Sequence, residues 1–170
     1  MNRRHILNLS MLTALGLAVL PGTAFAQQKS LKEQLTGIWT LVSMDQTAKD
    51  GTKHQLFGSI PKGIQVIDAS GKYVQIISRS DRAKFKINSR LEGTPEENKA
   101  TVQGNTAQFG TWSVDEASKT LTVRNEGAMF PNQVGTESKR TVSVSGDELK
   151  VSNPATSSGM KSDTVWRRSK

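Results

Sequence analysis

Residues 108–126 read QFGTWSVDEASKTLTVRNE, with apolar and polar residues alternating on both sides of one polar break. Trp112 and Val114 stand two apart, as do Leu121 and Val123. Each pair therefore shares one face of an extended chain, whose side chains alternate with period two. The segment 115–118 between them has the composition of a turn. The stretch reads as two antiparallel strands, 108–114 and 119–126, joined as a hairpin.

Working outward, the same period recurs. Trp39 and Leu41 share a face of a strand at 37–43, and 64–68 and 73–79 flank a turn at 69–72 as a second hairpin. Beyond the opening stretch come strands at 137–144, 148–152 and 163–168, with Val142 and Val144, and Leu149 and Val151, as further inward pairs. Two short helices interrupt the series. Ser30 and Glu33 have the spacing of a capping box and start a turn over 31–35. Thr94-Pro95-Glu96-Glu97 places an N-cap, a first-position proline and two acids where a helix start favours them, so a helix runs from 95 to 103 and stops at Gly104. About eight strands separated by turns make an all-β, antiparallel up-and-down fold, a barrel or a sandwich.

The N-terminus has a different character. Arg3 and Arg4 precede an apolar run from Ile6 to Leu20, too short and too interrupted to span a membrane, and Ala24-Phe25-Ala26 has the form of a cleavage site. Residues 1–26 read as a cleaved signal peptide and 27–170 as one domain, which places the protein in the periplasm or outside the cell. Arg3-Arg4-His5-Ile6-Leu7 resembles a twin-arginine signal, with the general secretory route open beside it. Cleavage removes two of the 23 basic residues and none of the 15 acidic ones, lowering the net charge from +8 to +6. The remaining bases are scattered from Lys29 to Lys170 without interleaved aromatics, so nucleic acid is not an expected partner. The oligomeric state is open.

Catalytic chemistry has little to work with. The chain has no cysteine, which removes disulfides, thiolate metal sites and cysteine nucleophiles. After residue 26 the one histidine is His54, in a loop, and neither Gly-x-Ser-x-Gly nor His-Glu-x-x-His occurs. Glu96 and Glu97 are explained as helix-start acids. No catalytic residue, metal or cofactor is expected.

The segments Gly37-Ile38-Trp39, Gly93-Thr94-Pro95-Glu96-Glu97, 109–116 (FGTWSVDE), Glu126-Gly127, 130–136 (FPNQVGT) and Trp166-Arg167 occur in an order that resembles the bacterial lipocalin-like domain family. The resemblance covers about 35–167. It implies an eight-stranded antiparallel calycin-like barrel with one or two short helices, whose interior holds a small, mostly apolar ligand; it implies no reaction. It also implies that Trp39 plugs the closed end with a late arginine across its ring. Arg167, Arg168 and Arg140 are the candidates, and Trp39, Trp166 and Arg167 form the expected closure set.

The candidate site follows from extending the inward faces. Asn125 continues the face of Val123, and Arg140 precedes Val142 on its face, so two polar side chains enter the interior at either end of 126–140 (EGAMFPNQVGTESKR). An arginine there meets an anionic ligand, with Asn125 or Asn132 adding a hydrogen bond, or it is paired with Glu126 or Glu137 or stacked on Trp39. Met129 and Phe130, with Phe57, Phe85 and Phe109, line a pocket mouth or plug a filled barrel. The ligand-binding set is Tyr73, Phe109, Trp112, Asn125, Met129, Phe130, Asn132 and Arg140. The expected function is binding of a small apolar, amphipathic or anionic molecule. The alternatives are an isomerase or hydrolase using Tyr73, Arg140 and an acid, and a filled barrel acting through its outer surface.

Overall fold

The computed structural model describes residues 29–170, and the signal peptide read from 1–26 lies outside them. The chain order is α1 (Leu31–Leu35), β1 (Gly37–Thr47), β2 (Lys53–His54), β3 (Lys62–Ile67), β4 (Lys72–Ser78), α2 (Pro95–Gln103), β5 (Asn105–Asp115), β6 (Thr120–Ala128), β7 (Glu137–Ser145), β8 (Glu148–Asn153) and β9 (Lys161–Arg168). Strands β3 to β9 pair antiparallel with their sequence neighbours, β1 pairs with β3, and β1 also pairs with β9. That last pairing closes an eight-stranded barrel. The ninth strand, β2, is a two-residue addition on the end of β1, too short for any alternation to announce it.

Both helices form as their caps dictate. In α1 the Ser30 hydroxyl accepts from the Glu33 amide at 3.2 Å while the Glu33 carboxylate accepts from the Ser30 amide at 2.8 Å. The carboxylate of Glu116, in the β5–β6 turn, accepts from the Leu31 and Lys32 amides at 2.9 and 3.1 Å, which docks the helix start against the barrel. In α2 Thr94 and Glu97 repeat the capping box. No helix among the described residues is long and apolar enough to cross a membrane.

The interior is layered along the barrel axis. At the end covered by α1, Leu35, Trp39, Ile67, Trp112, Leu121, Leu149 and Trp166 form an apolar floor. The expected inward pairs are there, Val114 and Val144 being partly buried against it. Trp112 donates its indole N–H to the Asp68 carbonyl at 2.8 Å and belongs to this floor.

Arg168, not Arg167, lies across Trp39, with its guanidinium 4.2 Å from the ring centroid. Trp166 and Thr164 are buried and Arg167 is exposed, so strand alternation returns Arg168 to the inner side. Its guanidinium also donates to the carbonyls of Thr36 at 2.8 Å and Gln34 at 2.6 Å, covering oxygens that the end of α1 leaves open. The glycine of Gly-x-Trp is explained by this latch: Gly37 has φ +146°, and a Cβ there would come within 2.6 Å of Arg168 Nη1. Arg168→Ala is expected to cost about 2–3 kcal/mol in denaturant unfolding, from two charge-assisted hydrogen bonds and the stacking. Arg167→Ala should stay within about 0.5 kcal/mol. Equal losses for the two would refute the latch.

Phe109 also departs from expectation, because it is outside the barrel and 54% exposed. With Gln108, Gly110 and Trp112 buried, residue 109 must face out. Its ring lies over Gly127, whose missing side chain leaves room for it, at the end of an outer row that runs through Ile38, Val66 and Val74.

Candidate functional site

Above the apolar floor the barrel holds a cavity of about 900 Å³. Its middle is a belt of buried polar side chains: Gln46, Gln75, Gln108, Asn125, Arg140, Ser162 and Thr164. Its upper wall includes Leu56, Phe57, Val102, Met129 and Phe130. The inward positions of β4 give the order, since Tyr73, Gln75 and Ile77, and then Arg79 just beyond the strand's end, follow one another from floor to mouth.

Arg140 is 5% exposed and lines the cavity. Its Nη1 donates to the Tyr73 hydroxyl at 2.7 Å and its Nε to Ser138 Oγ at 3.2 Å, and the guanidinium stands 5.5 Å from the Tyr73 ring centroid. Among the described residues no carboxylate lies within 4.0 Å of it, so the expected pairings with Glu126 or Glu137 are absent. The alternative of stacking on Trp39 is taken by Arg168. A guanidinium has five N–H donors, and three of Arg140's are left without a partner among the described residues. By contrast Arg79, at the mouth, is held by both oxygens of Asp81 at 2.9 Å.

Tyr73 is wholly buried beneath Arg140. Burial pushes its phenol above the ordinary value near 10, against the opposing pull of Arg140, so it stays a neutral donor. The Tyr73 hydroxyl donates to Gln65 Oε1 at 3.1 Å; the same oxygen accepts Gln75 Nε2 at 2.8 Å, and Gln75 Oε1 accepts Gln108 Nε2 at 3.1 Å. These three glutamines are directly opposite one another on β3, β4 and β5.

The expected site residues thus divide. Asn125, Met129, Phe130 and Arg140 line the cavity, and Tyr73 supports it from below through Arg140. Trp112 is in the floor and Phe109 is outside. Asn132 is exposed, because residues 131–133 form a single 3₁₀ turn that breaks the alternation and sends Gln133 to the cavity instead. The glutamines of the belt are the residues that apolar alternation passes over. A turn centred at 69–72 would set Gln65 opposite Ile76; the loop that forms is one residue longer, 68–72, pairs Ile67 with Tyr73, and so brings Gln65 opposite Gln75. His54 stands exposed at the cavity rim, and among the described residues no group of His, Cys, Asp and Glu is placed to hold a metal ion.

The lipocalin-like domain family model matches residues 36–169. The chain belongs to this family. Among solved structures the lipocalin-like domain is similar to a lipocalin-like protein from Bacteroides uniformis, at 14% identity over 80% of this chain and 99% of that one, with a TM-score of 0.44. It is also similar to a mutant of the fluorescent protein UnaG, at 13% identity over 81% and 97% of the two chains, with a TM-score of 0.36. No curated protein matches it.

Proposed function

We propose that this lipocalin-like protein is an exported carrier that binds a small amphipathic anion in its barrel, acid group toward Arg140 and apolar part among the rim residues. One observation carries the reading: a buried cation faces the cavity and has no carboxylate within 4.0 Å of it among the described residues. Burying an unpaired charge is costly, and a site of this kind is retained where a ligand supplies the opposite charge. A volume of about 900 Å³ is at the upper end of small-molecule pockets. The rim of Phe57, Met129 and Phe130 offers apolar contact, while the polar belt gives the ligand's head its place at depth.

The test is a calorimetric titration of the purified protein with dodecanoate and, separately, with dodecanol. The acid is expected to bind at least about tenfold more tightly, the value of one charge-assisted hydrogen bond. Equal affinities would overturn the anionic reading, and absence of binding by either would overturn the carrier reading.

A further inference from the structure

The hydrogen bonds that lead away from Arg140 have their direction fixed from its end. A guanidinium only donates. Because Nη1 of Arg140 donates to the Tyr73 oxygen, the Tyr73 proton is turned onto Gln65, which makes that end of Gln65 the carbonyl. Gln75 must then offer its NH₂ to the same oxygen and turn its own carbonyl toward Gln108. Gln108 uses one of its two N–H donors on Gln75, and its Oε1, at the end of the row, is an acceptor with no partner among the described residues. A cation on one wall sets the polarity of a carbonyl on another.

Asn125 arrives at the same condition independently. The Thr136 hydroxyl donates to the Gln133 carbonyl at 2.7 Å and so accepts from Asn125 Nδ2, at 3.5 Å. Asn125 Oδ1 is left without a partner on a side chain 3% exposed. Asn125 is paired with Gly110, two residues along β5 from Gln108, and both side chains line the cavity with Arg140.

Arg140 alone would accept any anion. Three carbonyls of the same belt, Asn125 Oδ1, Gln46 Oε1 and Gln108 Oε1, have no partner among the described residues, and the first two are fully buried, where acceptors are almost always satisfied and leaving them bare is costly. The geometry points to a ligand whose head group joins an acid to its own N–H or O–H donor, as in an N-acyl amino acid or a 2-hydroxy acid, in preference to a simple fatty acid. This rests on Arg140 as the anion site. In the bound state Arg140 holds the acid, and Gln108 Oε1 and Asn125 Oδ1 accept the donor.

The experiment varies the ligand, so no variant has to fold. Calorimetry on the full protein compares N-decanoylglycine with N-decanoylsarcosine, which keeps acid and amide carbonyl but has no N–H, and 2-hydroxydodecanoate with 2-methoxydodecanoate; dodecanoate is the reference. In at least one pair the donor-bearing acid is expected to bind about five- to tenfold more tightly than its blocked partner. The pair that shows the margin identifies the donor. If both pairs bind equally while dodecanoate still outbinds dodecanol, the donor requirement is overturned and the anion site stands. If none of the five acids binds, the anion site falls and the donor requirement with it.

Discussion

Gly110→Ala is expected to lower the melting temperature by about 10 °C. The β5–β6 register shifts at this residue: Phe109 is opposite Gly127 but Gly110 is opposite Asn125, so Glu126 is an extra residue bulged out of the ladder. The bulge brings the strands so close that a Cβ on residue 110 would overlap the Arg124 carbonyl oxygen and approach the Glu126 amide nitrogen to 2.8 Å. Both are backbone atoms, and no rotamer change relieves either contact. The ladder must open or the bulge must be lost, at about 3 kcal/mol, the upper part of the range for overpacking. In a domain of this size that is about 10 °C. Gly135→Ala is the control: φ is +77° there but a Cβ would meet nothing within 4 Å, so only the left-handed backbone is penalised, at about 1 kcal/mol. Similar losses for the two variants would mean that the close approach at Gly110 is not what holds the bulge. The bulge also serves the site, since it keeps Asn125 inward on β6 while letting Gln108 face inward opposite Ala128.

The strands were legible because a barrel wall buries one face and wets the other, which writes period two into the chain. That rule carried beyond the apolar residues: it brought Asn125 and Arg140 inside by continuing the faces of Val123 and Val142, and both are buried. Applied strictly, it also contained the two corrections. Phe109 has the opposite parity to Trp112, and Arg168 the same parity as Trp166. What alternation hides is an interior that is itself polar. Gln65, Gln75 and Gln108 look like outward residues until β3, β4 and β5 are set in register, where each glutamine exchanges a hydrogen bond with the next across the strand pairs, although Gln65 Nε2 and Gln108 Oε1 are left without partners among the described residues. Beyond the bulge and through the 3₁₀ turn the period is lost, and only coordinates separate Gln133, at the cavity, from Asn132, in solvent.

Arg140→Met is expected to leave the ligand-free protein as stable as before or more so, while weakening dodecanoate binding about 100-fold. The two effects share one cause. In the empty barrel Arg140 is a buried charge with three N–H donors unpartnered among the described residues, and replacing a buried ionic group by an apolar side chain of similar volume is often neutral or stabilising by about 1–4 kcal/mol. Little is orphaned by the change, since Tyr73 still donates to Gln65 and Ser138 is only half-buried. With ligand present the balance reverses, because the acid loses a charge-assisted partner in a low-dielectric site, about 1.5–3 kcal/mol for each hydrogen bond. Dodecanoate and dodecanol should then bind alike, the alcohol having had no charge to lose. A structural arginine gives the opposite pattern: stability would fall by about 3 kcal/mol or more and the acid would keep its advantage over the alcohol in whatever protein still folds. Opposite signs for stability and affinity from one substitution are what a residue held ready for a ligand produces, and no packing role for Arg140 reproduces them.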